Sequence, residues 1–297
     1  MKKMVFVGLS ALILFASPVW ASESAWVVNK NSVYVEMEPT YRRSSELDLQ
    51  EYSLENRIEW GILEHSSFVF SVPFRNKSQD ADTASDPRLS NNGLTDVYLG
   101  LHHQFLSKPM ALSFKGGFKI PTGYRPEFMP SIGERQLDIE GLLLGGYIFP
   151  QLPLFIQGGA GYRYRSEYDT NHSDILRGLA EGKVFKKPSD QVLGFFEFGG
   201  WLLPRLFLSL YFDGEVGVNQ AEAIMQSKLS MTPKLGWRIN SFFDLSFQYE
   251  QVLWLQNRPQ TSGFKIGGHY RFGTPLSRDI GFRGAVPKHA YYDPDFD

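Results

Sequence analysis

Tyr52-Ser53-Leu54-Glu55-Asn56-Arg57-Ile58-Glu59-Trp60-Gly61-Ile62 is the stretch of sequence that decides the fold. Apolar side chains, with one asparagine among them, alternate in it with serine, glutamate and arginine. A period of two residues is typical of a β-strand that separates an apolar from a polar environment. The stretch is also long enough to cross a bilayer at a tilt.

The same alternation recurs from about Ser32 to Phe272, and it is clearest at 112–120, 206–216 and 229–239. It predicts twelve strands of about nine to fourteen residues, near or above the length that a membrane-spanning strand needs. The expected bounds are 31–41, 49–62, 66–74, 94–105, 110–121, 135–148, 154–167, 191–202, 205–218, 227–239, 242–255 and 262–272.

The connections between these strands alternate in length. Every second connection is short, at 63–65, 106–109, 149–153, 203–204 and 240–241, whereas 75–93, 122–134 and 168–190 are long and polar. Bacterial outer-membrane barrels combine short periplasmic turns with longer outer loops. The alternative fold is a soluble β-sandwich, in which long and short connections are not expected to alternate. The sequence therefore predicts an all-β, transmembrane, antiparallel up-and-down barrel of twelve strands, with short periplasmic turns and longer extracellular loops.

Composition narrows the classes of function. A mean hydropathy of −0.24 is too polar for a bundle of membrane helices, whereas a barrel turns only alternate residues to lipid. The net charge of −2 offers no basic excess for nucleic acid. With no cysteine, the chain has no disulfide, thiolate nucleophile or cysteine metal site.

The first residues resemble an export signal. Lys2 and Lys3 precede an apolar run that reaches Phe15, and Ala21 would end the signal. We expect residues 1–21 to be a signal peptide removed after Sec export, 22–272 to be an outer-membrane barrel, and 273–297 to be a periplasmic tail. Because only about ten residues then precede the first strand, no plug domain of the energy-coupled transporters is predicted.

The final strand ends in Lys265-Ile266-Gly267-Gly268-His269-Tyr270-Arg271-Phe272. Gly267, Tyr270 and Phe272 resemble the assembly signal of closing barrel strands. The expected partners are thus the outer-membrane insertion machinery, membrane lipids, lipopolysaccharide and a small-molecule substrate.

Charged residues occupy the face that would point into the barrel, and their signs change from strand to strand. Neighbours on one face of adjacent strands lie about 4.5–5.5 Å apart, so ladders of opposite charge and a weak net field are expected. The residues predicted to line the lumen are Arg57, Asp96, Lys119, Arg163, Arg165, Glu215 and Arg238.

No residue pattern predicts a catalytic, metal or cofactor site. His102 with an acidic neighbour and a distant serine could form a hydrolase, but no GxSxG turn is present. His102 and His103 point to opposite faces of a strand and cannot chelate one ion. The loop 169–174 could bind a cation, although a solvated polar loop is the favoured interpretation. We expect the protein not to be an enzyme.

Two motifs carry a resemblance to a known family. The segments 92–101, Asn-Gly-Leu-Thr-Asp-Val-Tyr-Leu-Gly-Leu, and 118–123, Phe-Lys-Ile-Pro-Thr-Gly, cover about a tenth of the chain. Both resemble the outer-membrane transporters associated with the meta-cleavage pathway of phenol degradation. The resemblance implies uptake of aromatic or other poorly water-soluble nutrients, with Asp96 and the corner at 121–123 as structural features.

The leading hypothesis is a passive outer-membrane channel for small molecules. One alternative is a barrel enzyme that acts on lipid A or phospholipid. The other is a structural or adhesive barrel that binds a partner through the loop 168–190, where Lys183, Lys186 and Lys187 lie.

Overall fold

The protein is described by a computed structural model. It describes residues 24–44, 48–79, 89–107, 109–122, 132–133, 136–166, 189–203, 205–218, 227–240, 242–256 and 260–273. The strands are β1 Val33–Ser44, β2 Leu49–Leu63, β3 Ser66–Gln79, β4 Leu89–Leu94, β5 Val97–Leu106, β6 Met110–Ile120, β7 Asp138–Ile148, β8 Leu154–Arg165, β9 Gln191–Leu203, β10 Leu206–Gly217, β11 Ser227–Arg238, β12 Phe243–Gln256 and β13 Ser262–Phe272.

These strands form one closed antiparallel barrel. Each strand except β4 pairs with the next one in the chain or, for β3, also with β5, and β1 closes the circle by pairing with β13, with Val33 opposite Phe272. Both β4 and β5 pair with β3, and only Thr95 and Asp96 separate them. They therefore act as one strand of the wall, and the predicted twelve-stranded barrel is confirmed.

The observed strand ends lie within three residues of the predicted ends except in one hairpin. The third strand runs to Gln79 rather than 74, and the fourth begins at Leu89 rather than 94. The predicted loop at 75–93 was therefore wrong at both of its ends. Asn76 and Ser78 lie on the outward face of β3, where the alternation requires apolar residues, so the strand pattern is missing there. The long-loop end of a barrel projects into water, where the outer face no longer needs apolar side chains.

The outer surface is apolar and carries aromatic rings at two levels. Towards the long loops, Tyr249, Phe264, Tyr41 and Tyr52 lie side by side across four strands, and the ring centroids of the Tyr249–Phe264 and Tyr41–Tyr52 pairs are each 4.9 Å apart. Tyr270 and Phe272 lie at the opposite end, 4.7 Å apart. Two such girdles mark the headgroup levels on either side of an apolar band. The protein is therefore an outer-membrane barrel.

Among the described residues, no helix is long and apolar enough to span a membrane.

Candidate functional site

The segment that precedes β1 lies inside the barrel. Ser24 to Val28 are all buried, with 0–5 % of their surface exposed. The backbone N–H of Ala25 donates to Gln157 Oε1 on β8 at 3.1 Å, and that of Val27 donates to Gln104 Oε1 on β5 at 3.2 Å. The segment therefore crosses the lumen, although the sequence predicted no plug domain. We call residues 24–28 the N-terminal plug.

A tight turn leads from the plug into the wall. Asn31 adopts a φ of 62°, a left-handed conformation that asparagine tolerates better than most residues. Its N–H donates to the carbonyl of Gly61 at 2.8 Å, and the N–H of Gly61 donates to Ser32 at 2.9 Å. A Cβ at position 61 would collide with the carbonyl of Asn29, so glycine lets the chain pass this close to β2.

Aromatic side chains of the wall surround the plug. The ring of Trp26 meets Phe155 edge-on at 6.2 Å, Phe155 stacks on Phe207 at 5.9 Å, and Trp201 packs against Phe207 at 5.5 Å. With the plug residues Ala25, Trp26 and Val28, the complete apolar cluster consists of Tyr34, Ala111, Leu142, Leu144, Ile148, Phe155, Phe195, Trp201, Phe207 and Tyr211. Most of the wall members belong to β7–β10, near the short turns. One side of the lumen is therefore apolar at the periplasmic end.

The opposite side of the lumen at this level is polar and is built around two histidines. His269 Nδ1 lies 2.6 Å from Tyr34 Oη and 3.4 Å from Glu36 Oε1, while its Nε2 lies 2.9 Å from Ser246 Oγ. A Cβ at Gly267 would strike both His269 and Ser246, so glycine leaves room for this pair. The contacts connect β12, β13 and β1 across the seam of the barrel.

The second histidine forms a serine–histidine–glutamate arrangement. His102 Nε2 lies 2.9 Å from Ser113 Oγ, and its Nδ1 lies 3.4 Å from Glu59 Oε1, which also accepts a hydrogen bond from Ser67 at 2.6 Å. The order of groups is that of a hydrolase triad. His102 was a candidate from the sequence, whereas Glu59 and Ser113 were not, because only the strand register brings them beside it.

The half of the lumen towards the long loops is filled with ion pairs. Arg42 bridges Glu51 at 3.0 Å and Glu250 at 3.1 Å, and Lys77 reaches Glu51 at 3.2 Å. Glu250 also contacts Lys228 and lies 3.7 Å from Lys265. Charges of opposite sign on facing strands thus largely compensate one another there.

The seven residues predicted to line the lumen point inward, and each has a polar partner. Their side-chain contacts include Arg57–Glu59 at 3.5 Å, Asp96–Lys119 at 3.7 Å, Arg163–Glu140 at 3.0 Å, Arg165–Asp138 at 3.8 Å, Arg238–Asp244 at 3.0 Å and Glu215–Gln191 at 3.0 Å. They are spread around the wall in pairs and do not converge on one site.

The predicted assembly signal lies on the closing strand. Tyr270 and Phe272 face outward at the end of β13, and Gly267 faces the lumen. Recognition of these residues by the insertion machinery stays a prediction. Several other predictions lie outside the described residues: the signal peptide, the loop cluster at 169–174, the lysines at 183, 186 and 187, and the tail from residue 274.

Comparisons with known proteins relate the chain to others by fold. No family model and no curated protein matches the sequence. The structure is similar to an outer membrane channel from Pseudomonas putida F1, with a TM-score of 0.71 and 12 % identity over 86 % of this chain and 100 % of that one. It is also similar to the NanC porin, with a TM-score of 0.50 and 7 % identity over 80 % and 98 % of the two chains. The chain thus has the fold of an outer-membrane β-barrel.

Proposed function

We propose that this protein is a passive outer-membrane channel for small molecules, with a preference for aromatic or other apolar solutes. The observation that carries the proposal is the apolar cluster inside the lumen. Ion pairs fill the other half of the same barrel, so aromatic side chains are not needed merely to occupy the interior. Apolar wall area gives an apolar solute a favourable surface on its way through.

The route would begin between the long loops and pass the paired charges, among them Arg57, Asp96, Lys119, Arg163, Arg165, Glu215 and Arg238. It would then meet the N-terminal plug and leave between the periplasmic turns. Two backbone hydrogen bonds to glutamine side chains hold the plug. Each contributes about 0.5–1.5 kcal/mol, and burial of the Trp26 and Val28 side chains in the apolar cluster adds to this. The plug belongs to no strand, so it can shift without unfolding the wall. The resemblance to transporters of aromatic catabolism supports the same substrate class.

Reconstitution tests the proposal directly. The purified protein in planar bilayers should give a small, stable conductance, which phenol should reduce because it occupies the apolar cluster. Xylitol, a polar solute of comparable size, should leave the current unchanged. A barrel that passes neither ions in bilayers nor sugars in a liposome swelling assay would contradict the channel.

The serine–histidine–glutamate arrangement makes an enzyme the second candidate function. The burial of its three side chains argues against catalysis. Ser113, His102 and Glu59 are 0–1 % exposed, and backbone N–H groups in their strands belong to the ladders rather than to an oxyanion hole. We expect Ser113 to remain unlabelled by a fluorophosphonate probe in the folded barrel. His102→Ala should leave the lipid A and phospholipid profiles of the cell unchanged while lowering barrel stability. Labelling of Ser113 that His102→Ala abolishes would support the enzyme instead.

A further inference from the structure

The outward face of β1–β4 becomes polar at the end of the long loops. One row of the strand register crosses all four strands and consists of Arg43, Gln50, Ser78 and Ser90. The row below it continues from Tyr52 to Asn76 and Asn92 on the next two strands. The side chains of both rows are exposed or half-buried. We call the polar members the outer polar band, which consists of Arg43, Gln50, Asn76, Ser78, Ser90 and Asn92.

The strands on the opposite side of the barrel end differently. In β7–β10 the last outward residue before the long loops is aliphatic or aromatic in every strand. These residues are Ile139, Tyr164, Val192 and Val216, and each is 43–50 % exposed. Such side chains suit contact with acyl chains, whereas the amides and hydroxyls of the band suit a neighbour that forms hydrogen bonds.

Arg43 is the one charged residue in the band. On the outward faces of the described strands no other lysine, arginine, aspartate or glutamate is present. The adjacent Arg42 points into the lumen and binds two glutamates, whereas no described residue forms an ion pair or hydrogen bond with the side chain of Arg43. A charge on the lipid-facing surface is costly in the hydrocarbon and tolerated near the interface. Arg43 is therefore placed to bind an anion of the membrane.

The band lies at the level of the lipid headgroups. Arg43 follows two residues after Tyr41, on the same face of β1, and Tyr41 belongs to the aromatic girdle at this end. A strand rises about 3.3 Å per residue, so Arg43 begins at most about 7 Å beyond the ring row. The polar layer of a bilayer adds about 5–7 Å to each side of the hydrocarbon core. Because the long loops of such barrels lie outside the cell, the band faces the headgroups of the outer leaflet.

We propose that the outer polar band binds the headgroup of lipid A, the phosphorylated disaccharide lipid of the outer leaflet. The guanidinium of Arg43 donates two hydrogen bonds to a phosphate. The amides of the band exchange hydrogen bonds with the sugar hydroxyls, and the acyl chains lie against the aromatic girdle below. A phospholipid offers a phosphate without an array of hydroxyls and therefore matches only Arg43. The site is on the outside of the wall and does not depend on the proposed channel.

Native mass spectrometry of the full protein, titrated with lipid in a non-ionic detergent, measures the binding directly. The probes are diphosphoryl lipid A, the same lipid without its phosphates, and phosphatidylglycerol. We expect diphosphoryl lipid A to bind about tenfold more tightly than either of the others, because only this probe offers phosphates and sugar hydroxyls together. Equal binding of lipid A and phosphatidylglycerol would overturn the assignment to lipid A.

Arg43→Gln should lower the affinity for diphosphoryl lipid A about tenfold, to that of the dephosphorylated lipid. Arg205→Gln is the matched control, because it removes the same charge from an exposed arginine in the short turn between β9 and β10, at the opposite end of the barrel. It should leave the affinity unchanged. Heat-dependent gel migration checks that both variants fold. Unchanged binding by Arg43→Gln, or an equal loss in Arg205→Gln, would overturn the site.

The double variant Asn76→Leu, Asn92→Leu tests the sugar contacts with the charge of Arg43 in place. It should bring the affinity for diphosphoryl lipid A towards that for phosphatidylglycerol, because two amides that face the headgroup are lost while the phosphate contact remains. A full preference for lipid A in this variant would overturn the part of the proposal that assigns the sugar to the asparagines.

Discussion

Deletion of residues 24–28 is expected to raise the single-channel conductance several-fold. All five residues of the N-terminal plug are buried inside the barrel, where they cross the lumen between β5 and β8. The plug makes side-chain contacts with the wall but belongs to no strand, so its removal leaves every ladder of the barrel in place. Ionic current grows with the free cross-section of the narrowest section, which the deletion widens. Current recordings in planar bilayers measure the effect.

Two substitutions distinguish the effect of the plug on the conductance from that of the residues next to it. Trp26→Ala removes the ring that packs on Phe155 and should raise the conductance less than the deletion does. Lys30→Ala changes an exposed residue between the plug and β1 and should leave the conductance as it is. If the deletion variant folds and conducts like the unmutated protein, the plug is not the constriction and the route must pass elsewhere.

The wall of the barrel was predictable because lipid and lumen impose opposite demands on adjacent residues. In β2, Tyr52, Ile58 and Trp60 are exposed on the outside while Glu55, Arg57 and Glu59 are buried within, as the alternation predicted. Apolar residues are required on the outer face only within the bilayer. Where β3 and β4 extend beyond it, both faces are polar and the pattern gives no sign of a strand.

The apolar half of the site was not predicted, for a related physical reason. In β7 and β9 the inward Leu142, Leu144 and Phe195 alternate with outward residues that are just as apolar, such as Leu143 and Phe196. A strand that is apolar on both faces has no period of two. The available signal was the continuous apolar run itself, which indicates burial on both faces.

The polar contacts of the lumen were predictable as a class but not as pairs. Alternating charge across strands indicated ladders, and the Arg163–Glu140 and Arg238–Asp244 pairs have this form. Which residues face each other depends on register, and register depends on the tilt of all strands together. The individual pairs are therefore visible only in three dimensions.

The second large effect is expected at Asp244, where Asp244→Asn should destabilise the folded barrel by about 3–5 kcal/mol. The Asp244 carboxylate accepts a hydrogen bond from Arg238 Nε at 3.0 Å and contacts Arg271 Nη2. Asp244 is fully buried, and Arg271 is 2 % exposed. The amide keeps the size of the carboxylate but loses its charge, so two arginines remain in the lumen without their shared anion. The contacts connect β11, β12 and β13 beside the closing seam, where loss of stability opens the barrel.

Urea unfolding of the protein in detergent micelles, followed by heat-dependent gel migration, measures this change. Asp48→Asn is the matched control, because Asp48 lies in an exposed turn with a φ of 45° that asparagine also adopts readily. Its unfolding midpoint should remain within the error of the unmutated protein. Arg271→Gln added to Asp244→Asn removes one of the two uncompensated cations and should recover part of the lost stability. Equal midpoints for Asp244→Asn and Asp48→Asn would show that water reaches the arginines and that the ion pair does not hold the seam.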